Sequence, residues 1–187
     1  MKKFLASLLM LIMFSGSAFG FSASELKKMS VFVSNFTEVG MNNFDVDDLS
    51  DSELAYFGIW HNWKNNDSRI QRCPKKNCPY GSFVIDKKFV AESVKKYFDL
   101  DIEHQDASQN YGHYDGKRYY HFEGATGEAV QARVYEAEKD GNLIIMTGET
   151  YSPDNEEIEG KTFTAVAKPY KYGGKNTWAI ISLEVDD

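Results

Sequence analysis

Only two cysteines and four histidines occur in the 187 residues, and each scarcity closes off a class of function. Cys73 and Cys78 are spaced C-x4-C, which is not the C-x-x-C of thiol oxidoreductases, and no paired His or Cys set completes a zinc site. The histidines His61, His104, His113 and His121 stand at no metal-ligand spacing on a common element. There is no G-x-S-x-G nucleophile motif, and no glycine-rich phosphate loop follows a strand. The sequence therefore assigns no catalytic residue, no metal and no cofactor. Basic charge is also scarce: 21 Lys and Arg against 28 Asp and Glu give a formal charge of -7, which argues against a nucleic-acid partner.

Long apolar runs are missing beyond the first residues. Residues 1–20 combine the Lys2-Lys3 pair, an apolar run from Phe4 to Phe14, and small Ala18 and Gly20, the pattern of a signal peptide cleaved after Gly20. The run falls short of the roughly 20 apolar residues that span a bilayer, so the mature chain is expected to lack a transmembrane segment. No cysteine near the leader supports a lipid anchor. A soluble periplasmic or secreted protein is expected, and loss of Lys2 and Lys3 takes the formal charge from -7 to -9.

What the chain does contain organises residues 21–187 as one α+β domain. The densest apolar stretch, LAYFGIWHNW from Leu54 to Trp63, forms a broad aromatic arc on a helix, with Ala55, Gly58 and Asn62 as a narrow small-residue strip. An arc that wide must be buried against more than one neighbour. Ser50 and Glu53 give this helix a capping box at its start, and Ser22 and Glu25 do the same for a first helix over 24–39 that carries Leu26, Met29, Phe32, Val33, Phe36 and Val39. Between the two helices Asn43, Asp45 and Asp47 imitate the opening of a calcium loop. Asp48 and Leu54 stand where that loop needs Gly and Glu, so a solvated turn is expected.

Downstream, a loop over 65–81 is expected to be closed by a Cys73–Cys78 disulfide and to gather Lys64, Arg69, Arg72, Lys75 and Lys76, a possible contact for an anionic surface. A short strand over 82–85 leads to a third helix capped by Asp86, with Phe89, Val90, Val94, Tyr97 and Phe98 along one side. From Tyr114 the period changes to two, with strands expected at 117–123, 128–137, 143–151, 162–168 and 177–185, joined by turns at 124–127, Asp140-Gly141 and Gly173-Gly174 and by an acidic excursion over 152–160. The expected fold is three N-terminal helices on a twisted antiparallel meander of about five strands, in an element order like the cone of nuclear transport factor 2.

The pieces SNF (Ser34 to Phe36), FGIWHN (Phe57 to Asn62) and KKYF (Lys95 to Phe98) resemble a loose group of small secreted bacterial proteins of uncharacterised function. The resemblance covers most of the mature chain, implies no activity, and leaves the cysteine loop as an insertion.

Alternation places Tyr119 with His121 and Glu123 on one strand face, and Arg133 with Tyr135 on one face of the next strand, leaving Tyr120, Phe122, Val130, Ala132 and Val134 as core. The first set is the candidate binding face. His61, between Phe57 and Leu54 on the helical arc, is read first as a core residue and stands with the sheet residues as a further candidate for ligand or partner binding. The carboxylates at 45–51 and 154–159 lie in loops, where solvent leaves them ordinary acids. A non-catalytic binding module of the bacterial envelope, with an unknown protein or small ligand as partner, is the reading that follows. Its alternatives are a small enzyme using His61 or His121 as general base, and a periplasmic inhibitor or immunity protein.

Overall fold

The computed structural model describes residues 20–108, 111–121, 130–154 and 160–186. The expected leader, Phe122, Glu123, the 124–127 turn and the centre of the acidic excursion lie outside the described residues.

Three helices form where caps and apolar spacing favour them. Helix α1 (Ala23–Thr37) and helix α2 (Asp51–Asn65) each open on a complete capping box, at Ser22/Glu25 and Ser50/Glu53. Helix α3 (Lys87–Phe98) is capped by the Asp86 carboxylate, which accepts from the Lys88 N–H at 3.0 Å. It stops at Asp99, which adopts a left-handed backbone (φ 60°) where glycine is more usual. Between α1 and α2, strand β1 (Phe44–Asp45) leads into a 3-10 turn at Val46–Asp48. The Asp45 carboxylate caps that turn, and the Asn43 side-chain oxygen accepts from the Val185 N–H, so the calcium-like sequence serves a local turn and a contact with the distant C-terminal segment.

The expected single meander is two antiparallel sheets. Strands β6 (Gln131–Asp140), β7 (Leu143–Tyr151), β8 (Thr162–Tyr172) and β9 (Lys175–Val185) form consecutive hairpins, and β1 adds to the far edge of β9. The first expected strand, seen as β5 (Arg118–His121), leaves this series and pairs with β3 (Phe83–Asp86), in a second sheet ordered β2 (Ile70–Arg72), β3, β5, β4 (His113–Tyr114). Alternation within a strand cannot say which neighbour it takes, which is why the sequence merged the two sheets.

Helix α2 lies between the sheets and serves two cores. Leu54, Phe57 and Trp60 join Phe36, Phe98, Met146, Ile180 and Leu183 over the five-stranded sheet. Ala55 and Ile59 join Ile85, Val90, Ala107 and Tyr119 over the four-stranded one. The small strip sits against α3: a Cβ on Gly58 would lie 2.5 Å from Val90 Cγ1 and 3.0 Å from the Val90 carbonyl oxygen. One turn on, fully buried Asn62 donates to the Gly58 and Phe89 carbonyls and to Ser93 Oγ, while its oxygen accepts from Arg69.

The three short motifs singled out above meet at this place. Phe57 stacks on Phe36 at 5.2 Å and meets Phe98 edge-on at 4.8 Å, and the Tyr97 hydroxyl donates to Asn35.

Helix α1 shields the edge strand β6. Ser30 Oγ accepts from the Val134 N–H and Ser34 Oγ from the Ala132 N–H, both at 2.9 Å, and Thr37 Oγ1 donates to the Val130 carbonyl at 2.6 Å. Side chains thus take the place of a further strand on an edge that would otherwise invite pairing with another chain.

Two outcomes follow from this packing. Phe57→Ala should lower the unfolding free energy by about 3–5 kcal/mol, the cost of emptying a large aromatic site. Gly58→Ala should also destabilise, because overpacking of about 1–3 kcal/mol exceeds the roughly 0.5–1 kcal/mol that alanine gains over glycine in a helix. Urea midpoints of the two variants against the native chain measure both.

Candidate functional site

The candidate residues fall in separate places. Tyr119 and His121 do share one face of β5, but that face is under α2: they are 0% and 1% exposed, so the expected open face is corrected to an interior one. Tyr119 packs against Ile59, and its hydroxyl shares a 2.9 Å hydrogen bond with His104 Nδ1. Burial and the adjoining Tyr114 raise the Tyr119 pKa above its ordinary value, and burial lowers that of His104. His121 meets the rings of Trp60, Trp63 and Phe83 at 5.2–5.8 Å. Gly81 makes this possible: at φ +140°, a Cβ there would be 2.3 Å from the His121 carbonyl, so the cysteine loop folds directly over the end of β5.

Arg133 and Tyr135 belong to the other sheet, on edge strand β6, where Tyr135 is 53% exposed. Both are engaged locally. The Arg133 guanidinium lies 4.6 Å over the Tyr151 ring and 3.5 Å from Glu149, which also accepts from the Tyr135 hydroxyl. His61 is a core residue, 3% exposed, stacked on Phe57 at 5.4 Å and edge-on to Tyr97 at 4.7 Å. Its Nδ1 faces the Asn65 amide at 3.3 Å. Burial first, then the charges of Lys96 and Arg69, lower its pKa to about 3.

The basic residues of the loop region divide in the same way. Arg69 turns inward, bonding to Asn62 and pairing with Glu92 at 3.3 Å while covering the Phe89 ring. Lys64, Arg72, Lys75 and Lys76 are exposed. The Cys73–Cys78 disulfide closes the loop, and the Cys73 N–H donates to the Ser82 carbonyl at 2.8 Å, anchoring it to the β2–β3 hairpin.

Beside this anchor is a depression of about 300 Å³ lined by Trp63, Asp67, Ile70, Arg72 and Phe83. Trp63 and Phe83 form two walls, their rings 4.7 Å apart at 71°. Arg72 lies 5.5 Å over the Phe83 ring, which holds its guanidinium at the mouth while its edge stays free to donate. Larger depressions exist among the described residues. One of about 660 Å³ is a trough along β1 and β9 bordered by Asp45, Glu184 and Asp186, and one of about 440 Å³ runs between α1 and β6 beside the paired Arg133 and Tyr135. The aromatic slot combines apolar walls with a few polar groups, the composition of a ligand site.

Sequence reading placed Arg72 in the basic loop and Trp63 on the aromatic helix, without joining them. The signal available was the alternation of Ile70 and Arg72 on either side of Gln71, which marks a short strand. Among the described residues no helix is long and apolar enough to cross a membrane, and no cluster of His, Cys, Asp or Glu could hold a metal ion. Searches against protein-family models, curated proteins and solved structures gave no match, so the site rests on its own geometry.

The buried histidine makes stability depend on pH in a definite direction. The unfolded chain binds a proton at His61 near pH 6.5, whereas the folded chain resists it until about pH 3, so stability is complete above about pH 6.5 and falls on acidification. The loss approaches about 1.4 kcal/mol per pH unit between those limits. In His61→Gln the slope of unfolding free energy between about pH 6 and pH 4 should decrease by about one proton. Urea titrations at several pH values read it directly.

Proposed function

We propose that the chain is an exported, non-catalytic binding module of the bacterial envelope, and that the aromatic slot between α2 and the β2–β3 hairpin is its binding site. The observation that carries the proposal is the slot itself: perpendicular Trp63 and Phe83 walls, Ile70 beside them, and Arg72 and Asp67 at the mouth. Large aromatic surfaces with a polar end bind well because they bury much area and lose little conformational freedom. The environments of the two candidate bases favour binding over catalysis. His61 is enclosed by Phe57 and Tyr97, and His121 by Trp60, Trp63 and Phe83.

The leader pattern and the disulfide support placement outside the cytoplasm, where such bonds persist. The resemblance to small secreted bacterial proteins agrees with it. The order of helices and strands that suggested a nuclear transport factor 2-like cone belongs to the same proposal, since the sheet and its covering helices would then act as a rigid holder for the slot.

The test is retention of the tagged mature chain on the envelope fraction of the producing cell. Native protein should be retained, and Arg72→Ala and Trp63→Ala should each be retained at least about tenfold less. Arg72→Ala should keep a native urea midpoint, which separates lost binding from lost folding. Absence of retention by the native chain would reject the reading.

A further inference from the structure

Building on that binding role, we propose that the slot and the stapled loop dock on an anionic lipid bilayer, with the Trp63 and Phe83 slot at the headgroup level and Arg72, Lys75 and Lys76 on the phosphates. Charge segregation is the first argument. Between Lys64 and Gly81 five basic residues face a single acid, Asp67, in a chain whose formal charge is -7. Among the described residues Lys64, Arg72, Lys75 and Lys76 form no ion pair, whereas Arg69 is taken up by Glu92. Arg72, Lys75 and Lys76 are exposed, while Lys64 stands near the Glu38 carboxylate.

Aromatic placement is the second. Half-buried Trp63 opens onto the slot beside Arg72. Trp and Tyr prefer the bilayer interface because their rings carry both an apolar body and a polar edge, and Lys and Arg beside them gain from the negative surface potential of anionic lipid. One cation on the slot, Arg72, with Lys75 and Lys76 exposed on the loop that follows it, matches a continuous charged surface better than a single small anion, which is held by donors converging on one point.

Rigidity is the third. The disulfide, the Cys73-to-Ser82 hydrogen bond and the Arg72–Phe83 register fix the face before it meets a membrane, so little ordering remains to oppose association.

Co-sedimentation of the mature chain with phosphatidylglycerol-containing vesicles at low salt, alongside pure phosphatidylcholine vesicles, tests the proposal. The expected result is binding to the anionic vesicles only, with a blue shift of tryptophan emission, and at least about tenfold weakening as ionic strength rises severalfold. Lys75→Glu with Lys76→Glu should weaken binding at least about tenfold, and Trp63→Phe should abolish the blue shift while the cations still bind. No binding to anionic vesicles by a chain that the envelope fraction does retain overturns the lipid assignment and leaves the binding module intact, with a protein or wall component as partner. Equal binding to neutral vesicles, indifference to the double charge reversal, or full competition by inorganic phosphate also overturns it. Failure on both envelope and vesicles removes the binding module as well.

Discussion

The close approach of α2 and α3 at Gly58 is the constraint on which the rest of the molecule depends. Because position 58 has no side chain, the two helices come near enough for Asn62 to bridge them, and its amide is satisfied by two carbonyls, a serine and an arginine. A buried amide with that many partners costs little and fixes the register of one helix on the other. With the register fixed, Phe57 reaches Phe36 and Phe98 on one side, while Ile59 reaches Ile85 and Tyr119 on the other. One helix therefore fills two cores, and the two sheets are held in relation to each other through it.

The slot is a product of that arrangement. Trp63 belongs to the last turns of α2, beyond the tight crossing, where the helix passes the edge of β3. There the core thins out, so an indole that would be interior one turn earlier meets the Phe83 ring of β3, over which the Arg72 guanidinium of β2 also lies. Gly81 then brings the end of the cysteine loop down on the end of β5. Two cations part at this end: Arg69 stabilises the crossing through Asn62, while Arg72, three residues later, lies exposed over the Phe83 ring.

Local features were legible in the sequence because their physics is local. The capping boxes at Ser22 and Ser50, the Asp86 cap, the disulfide, and the β6–β7 and β8–β9 hairpins all involve residues a few positions apart. Small differences in extent arise where tertiary contacts extend or shorten an element. Helix α1 ends at Thr37, where its side chain turns to the Val130 carbonyl, and β8 and β9 run further along each other than their apolar pattern indicates. Ser30 and Ser34 were legible only as polar interruptions of an apolar helix, since their partners on β6 lie about a hundred residues away in the chain.

The sequence by itself determined the α+β class, three helices with their starts and buried faces, the closed cysteine loop, and His61 as an interior residue, because composition, caps and periodicity act over one or two turns or one hairpin. Only the tertiary structure decided that β5 leaves the meander for β3, that Tyr119 and His121 face α2 while Arg133 and Tyr135 stand on another sheet, and that Trp63 and Arg72 line one depression around Phe83. Alternation specifies that a strand has two faces and says nothing about which element covers either one. That choice is made by pairing and packing between distant segments, here between β5, β3 and the aromatic helix laid across them.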